Sequence, residues 1–224
     1  MTTSSSMTDF AAARTMMVDS QVRPNKVTDS RVISAMRSLP REAFLPAALQ
    51  ARAYADDNVP LGNGRVLPAP MVVARMVQFS LIEGGPKILV VGAGTGYGAA
   101  LLAACGEIVS AVEDDVNLLA IANPALSTYA PGVSLVEGPI AAGSTAGAPY
   151  DCIFIEGAVE QLPQALVDQL APDGVVVMVR CDAGVRIGQA VLGRKASGGM
   201  SFVPVFDCAL PPLPALRLAP EFVF

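Results

Sequence analysis

Apolar positions change their spacing near residue 86. Upstream, Val32, Met36 and Leu39 fall at i, i+4 and i+7 behind Thr28 or Asp29, which predicts a capped helix that Pro40 ends. Pro60, Pro68 and Pro70, with Gly62 and Gly64, predict a loop, and Val73, Met76 and Val77 then share one face of a short helix. From Lys87 the chain alternates apolar runs with helical stretches. Candidate strands are Lys87–Val91, Ile108–Glu113, Val133–Glu137, Asp151–Ile155 and Val175–Arg180. Candidate helices are Tyr97–Ala104, Val116–Ala122 (stopped before Pro124) and Gln164–Leu170. Near-continuous apolar strands suit a sheet covered on both faces. Two further runs, Val185–Leu192 and Phe202–Asp207, have no helix between them, so they predict a hairpin with the last strand antiparallel. The pattern as a whole predicts an α/β fold: a Rossmann-like, doubly wound, mostly parallel sheet of about seven strands with a helical N-terminal extension.

Chain length fits one domain. Residues 1–14 read as a disordered tail and 15–224 as the domain, comprising a helical cap (15–85), a core (86–208) and a Pro-rich C-terminal segment (209–224) that packs extended. Ile88 to Gly106 carries no charge over 19 residues, close to a membrane span, but glycines at 92, 94, 96, 98 and 106 make it a turn rather than a spanning helix. No membrane partner is expected. A net charge of −5, from 15 Lys plus Arg against 20 Asp plus Glu, also argues against a nucleic-acid surface. The chain holds no His, which excludes Ser-His-Asp triads and His-ligated metals. Cys105, Cys152, Cys181 and Cys208 lie far apart in apolar stretches, so they read as buried thiols of a reducing, cytoplasmic compartment with no metal site.

The chemistry concentrates at Val90-Val91-Gly92-Ala93-Gly94-Thr95-Gly96, where a strand gives way to a helix. Glycines let the backbone approach a ligand, and the helix start offers unpaired N–H groups. Glu113, 21 residues after Gly92, ends the second strand, where a carboxylate can accept from two ribose hydroxyls. The layout is that of a nucleoside site. It does not choose the nucleotide: Gly94-x-Gly96-x-x-Ala99 also fits a dinucleotide fingerprint and hence an NAD-dependent oxidoreductase. A glycine turn serving only tight strand–helix packing is the plain alternative.

Several motifs in order carry a more specific signal. Val32-Ile33-Ser34-Ala35-Met36, Leu39-Pro40-Arg41-Glu42-Ala43-Phe44-Leu45-Pro46, Ala53-Tyr54-Ala55-Asp56, Pro60-Leu61-Gly62-x-Gly64 and Pro70-x-x-x-Ala74-Arg75-Met76 precede the glycine turn. Gly92 to Ala99, Ala148-Pro149-Tyr150-Asp151, Leu162-Pro163-x-Ala165-Leu166 and Leu170-x-Pro172-x-Gly174 follow. Over roughly residues 15 to 180 this order resembles the protein-L-isoaspartate O-methyltransferases, a family of S-adenosylmethionine-dependent enzymes. The resemblance implies methyl transfer to the side-branch carboxylate of isoaspartyl residues in a protein or peptide. It also implies cofactor contacts from Gly92, Ala93, Gly94, Gly96, Tyr97, Glu113, Asp114, Glu137, Gly138 and Glu156.

The substrate loop departs from the family pattern. It reads Gly64-Arg65-Val66-Leu67-Pro68-Ala69-Pro70 where the family has approximately G-Q-T-I-S-x-P, so Val66 and Pro68 stand at the two hydroxyl positions. Arg65 is the loop's new cation, either a partner for the acceptor carboxylate or a solvated charge. Val90 stands at a position that is acidic in the family, Glu137-Gly138-Pro139 replaces G-D-G, and Glu156-Gly157-Ala158 replaces T-A-A. Glu156 is thereby either a contact for the cofactor's amino group or a partly exposed strand-end acid. These changes leave a different methyl acceptor open. They also leave open a non-catalytic cofactor-binding protein whose apolar Val66–Pro70 run serves docking or a homo-oligomer.

Overall fold

The computed structural model describes residues 9–197 and 199–218. Seven strands form one sheet in the order β5-β4-β3-β6-β7-β8-β9. They are β3 (Lys87–Val91), β4 (Ile108–Glu113), β5 (Ser134–Glu137), β6 (Tyr150–Val159), β7 (Leu170–Arg180), β8 (Gly188–Ala196) and β9 (Gly199–Cys208). Strands β3 to β7 pair in parallel. The two-residue period of the strands serves two cores at once. Ile88, Val90, Cys152, Phe154, Val175 and Val177 face one, while Leu89, Val91, Ile153, Ile155, Val176 and Met178 face the other. Central strands must therefore be apolar at every position, which is the continuous pattern the sequence shows.

The first core is closed by α1 (Phe10–Met17), α2 (Ser30–Ser38), α3 (Pro70–Ser80) and α4 (Tyr97–Ala104), with one side of α5 (Val116–Tyr129). Asp29 caps α2 by accepting from the Arg31 N–H, as the sequence suggests. The second core is closed by thinner material: Leu166 of α6 (Gln164–Asp168), Ile140, and Leu213 and Leu216 of the C-terminal segment. That segment is bonded along the end of β6, with Ala158 donating to Pro211 O and Leu213 donating to Ala158 O.

Several expectations need correction. The Pro/Gly-rich stretch after residue 58 is not a plain loop: Val59–Gly62 (β1) and Arg65–Leu67 (β2) pair antiparallel, since the Pro60 ring needs no ladder donor on a two-stranded edge. Helix α5 does not stop before Pro124 but runs through it to Tyr129, held by apolar anchors on both sides of the proline: Leu118, Leu119 and Ala122 before it, Ala125 and Leu126 after. Residues 10–14 are helical rather than tail: Asp9 caps α1, and Arg14 reaches Tyr54 and Glu42. Residues 1–8 and 219–224 of the expected tails lie outside the described residues. The C-terminal hairpin forms as expected and its last strand pairs antiparallel to its neighbour. Because β8 is itself antiparallel to β7, it is β8 that runs against the sheet and β9 that returns with it. Strand β8 begins at Gly188 rather than Val185, since Val185 and Ile187 stand exposed in the preceding turn.

Candidate active site

The carboxyl ends of β3, β4 and β6 meet at the glycine turn. Gly92, Gly94 and Gly96 all take positive φ (66°, 59° and 91°), which a side chain would resist. Gly92 and Ala93 donate to Val112 O, fixing the turn to β4, and Gly94 donates to Glu113 Oε2 at 2.6 Å. Glu113 Oε1 also accepts from the backbone N–H groups of Asp114 and Asp115, both at 3.0 Å. The acid is thus held at the strand end, one strand away from the turn.

Arg65 completes this arrangement. Its Nη1 donates to Glu113 Oε1 and its Nη2 to Glu113 Oε2, both at 2.7 Å, and Nη2 also reaches Gly92 O at 2.9 Å. The guanidinium is 5% exposed and the Glu113 side chain is fully buried. The solvated reading of Arg65 is therefore wrong: its carboxylate partner is the chain's own Glu113. Desolvation pushes the Glu113 carboxyl upward, but the Arg65 bonds and charge, with the Asp115 and Gly94 N–H groups, outweigh it and hold Glu113 below the usual carboxylate range. The bidentate fork is the strong geometry for such a pair.

On the other side stands Leu213. A Cβ at Gly92 would lie 2.9 Å from Leu213 Cδ1, and one at Gly157 would lie 2.6 Å from Leu213 Cγ. The hollow left beside Arg65, edged by Asn63, Asp114, Asp115 and Pro214, measures about 70 Å³. Ligand pockets of drug-sized molecules run to roughly 300 Å³ and more. Wider hollows, near 510, 490 and 400 Å³, lie along β7–β9, the C-terminal segment and the end of α3, away from the glycine turn.

The other sequence candidates spread around this centre. Asp114 is exposed at the surface, and partial desolvation beside the buried Glu113, together with the Glu113 charge, raises its pKa. Glu137 sits beside Glu113 in the β4–β5 register and is exposed, while Gly138 donates to Glu113 O at 3.0 Å. Tyr97 points into the first core, edge-on to Phe44 and beneath the Arg41 guanidinium, whose centre lies 4.9 Å from the ring. Glu156 is buried rather than a partly exposed strand-end acid. It occupies an irregularity between Phe154 and Ala158 in the β6–β7 pairing, against Gly98 of α4. Burial pushes its carboxyl up to about 8, in spite of Arg65 and Arg41 nearby. Val66 is half-buried, while Leu67, Pro68 and Pro70 are buried, so the apolar run is core and not a surface for docking.

Arg41 is the site residue that sequence reasoning passed over. It is fully buried and donates from Nε to Ala53 O at 2.7 Å and from Nη2 to Pro68 O at 2.5 Å, which anchors the divergent loop. A cation directly after Pro40, two residues ahead of the apolar run Ala43-Phe44-Leu45, was the available signal. Among the described residues, Arg41 Nη1, Thr95 Oγ1, Tyr97 Oη and Glu156 Oε2 are buried without a hydrogen-bond partner, so unmet hydrogen-bonding capacity gathers beside the turn. Among the described residues no cluster of His, Cys, Asp or Glu could hold a metal ion, and no helix is long and apolar enough to cross a membrane. In kind, the glycine turn and Glu113 fit an adenosyl group. In volume they do not, because Arg65 and Leu213 occupy the space beside them.

Comparison with known proteins fits this architecture. The family model described as protein-L-isoaspartate(D-aspartate) O-methyltransferase matches residues 13–206. A protein-L-isoaspartate O-methyltransferase of Methylorubrum extorquens is 38% identical over 211 residues, covering 91% of this chain and 92% of the relative. One from Koribacter versatilis is 36% identical, covering 95% and 96%. Among solved structures, a protein-L-isoaspartate O-methyltransferase superposes with a TM-score of 0.78 at 22% identity, covering 91% of this chain and 67% of that one. A Plasmodium falciparum structure described as a beta-aspartate methyltransferase in complex with S-adenosyl-L-homocysteine gives 0.71 at 17% identity, covering 92% and 98%. The fold is shared with both, and the chain belongs to the protein-L-isoaspartate(D-aspartate) O-methyltransferase family.

Proposed function

We propose that the chain is an S-adenosylmethionine-dependent carboxyl methyltransferase whose acceptor is an isoaspartyl carboxylate of a protein or peptide. One observation carries the reading: in a chain of this family, the glycine turn and the strand-end acid Glu113 meet at the carboxyl ends of β3 and β4. The NAD-dependent alternative has no comparable support.

S-adenosylmethionine supplies an electrophilic methyl group. The acceptor carboxylate, with an ordinary pKa near ~4, is already ionised at neutral pH, so no general base is required and the absence of His is no obstacle. The chain's task is to dehydrate and align the partners. Glu113 is placed to accept from a ribose diol once Arg65 leaves it. Gly98 leaves room for Glu156 beside the turn, and Arg41 fixes the Pro68 carbonyl and with it the loop that borders the acceptor. Val66 and Pro68 present no hydroxyl, and a lost donor to a buried carboxylate is worth ~1.5–3 kcal/mol, so backbone or Arg65 contacts must compensate. The four unpaired thiols suit a cytoplasmic, reducing setting.

The test is transfer of labelled methyl from S-adenosylmethionine to an isoaspartyl peptide, with the aspartyl isomer as control. Transfer confined to the isoaspartyl peptide is the expected result, and Glu113→Ala should abolish it. No transfer to either peptide by folded wild-type protein would reject the isoaspartyl acceptor.

A further inference from the structure

The strand-end acid has no acceptor capacity to spare. Its two oxygens receive five hydrogen bonds, two from Arg65 and three from the backbone N–H groups of Gly94, Asp114 and Asp115. Two elements bring this about from opposite sides. The β1–β2 hairpin reaches over the crevice, placing Arg65 on Glu113 and bonding Asn63 at its tip to Asp115, the cap of α5, at 3.0 Å. The C-terminal segment arrives from the far side and sets Leu213, 2% exposed, on Gly92 and Gly157. Asn58 ties the two together, donating to Ala209 O at 2.7 Å and accepting from Ala69 N at 2.8 Å.

The geometry points to an internal latch: the Arg65–Glu113 pair and Leu213 hold the adenosyl crevice shut, so that cofactor binding competes with the chain's own guanidinium. This inference rests on the reading of the glycine turn and Glu113 as an adenosyl site, and it adds a control built into that site. A diol at Glu113 needs the same lone pairs that the fork occupies, and a nucleoside over Gly92 needs the volume that Leu213 fills. Entry therefore requires both the fork and the Leu213 side chain to move. The fork is buried and bidentate, so it must break as a unit. The released guanidinium then needs a new anionic or carbonyl partner, since a buried unpaired charge is costly. The apparent affinity of such a crevice is its intrinsic affinity reduced by the fraction of molecules that stand open.

Calorimetric titration of the full chain with S-adenosylhomocysteine tests this, each variant first being shown to melt cooperatively. If the latch holds nine-tenths or more of the molecules closed, Arg65→Met should bind about tenfold more tightly or better. Arg65→Lys, which keeps a charge but loses the fork and the Gly92 bond, should gain less. Leu213→Ala opens the other wall without touching the ion pair and should also tighten binding, which keeps the test alive if Arg65→Met fails to fold. Adding Glu113→Gln to Arg65→Met should cancel the gain. Measurable binding by wild type that neither Arg65→Met, Arg65→Lys nor Leu213→Ala improves would overturn the latch and leave the methyltransferase reading intact. Absence of binding by wild type and by every folded variant would overturn both.

Discussion

Arg41 and Arg65 are both buried cations in the N-terminal region, yet they are held in different ways. Arg65 has a carboxylate partner at 2.7 Å, whereas Arg41 donates to two carbonyls, and desolvation lowers its pKa. Carbonyl dipoles offset burial of a charge less well than an anion does, so the case for Arg41 rests on the acceptors it satisfies. Arg41→Met should destabilise the protein by about 2–4 kcal/mol, because it leaves Ala53 O and Pro68 O unpaired in the interior. Urea unfolding measures this. A cost under about 0.5 kcal/mol would mean that water or a shifted loop serves those carbonyls equally well. At this scale the sequence was uneven. Glu113 was legible because its place, at a strand end 21 residues after Gly92, is set by local spacing. The role of Arg65 was not, because its partner lies 48 residues away and only the folded hairpin brings them together.

Elements were legible where one period dominated a segment. The strands next to the glycine turn were read with their ends because the first apolar run stops at Gly92 and the second gives way to Glu113 and Asp114. Errors arose where a local breaker met a strong tertiary preference. Pro124 removes one helical hydrogen bond, but the buried residues on either side outweigh that loss, so α5 continues for nearly two more turns. The β1–β2 hairpin was hidden because its prolines and glycines read as a loop when no partner strand is known. Helix α4 offers a sharper test of tertiary override. Ordinarily, replacing glycine by alanine inside a helix gains about 0.8–1 kcal/mol. At Gly98 a Cβ would collide with the Glu156 carboxylate, so Gly98→Ala should instead destabilise, by about 1–3 kcal/mol. In a double-mutant cycle with Glu156→Ala that penalty should vanish and the helix-propensity gain return. An equal penalty in both backgrounds would show that the clash is with something other than Glu156.

For the molecule as a whole, the two-sided core was readable from the strands, while the cover on its second face was not. A Pro-rich tail carries no period, and its leucines at 210, 213 and 216 reveal their burial only once β6 is in place. The carboxylates enclosed by this packing pull stability in opposite directions as pH changes. Glu113 is held below its ordinary value, so its contribution is complete above that value and is lost as pH falls through the folded one. Glu156 is the reverse case. The unfolded chain releases its proton near the ordinary glutamate value of 4.5, but the folded chain keeps it up to about 8. Between those limits the native state binds the extra proton, and stability falls as pH rises, by up to about 1.4 kcal/mol per pH unit. Partial desolvation beside Glu113 raises Asp114, and burial raises Glu107, with the same sign, but Glu156 is carried furthest, so the fall between pH 6 and 8 belongs chiefly to it. Glu156→Gln keeps the shape and removes the titration. Its unfolding free energy should therefore be nearly flat from pH 6 to 8 where the wild type declines, with the acid limb set by Glu113 unchanged. Parallel pH profiles for the two proteins would show that Glu156 ionises in the folded state as readily as in the unfolded chain, and that the buried turn admits water.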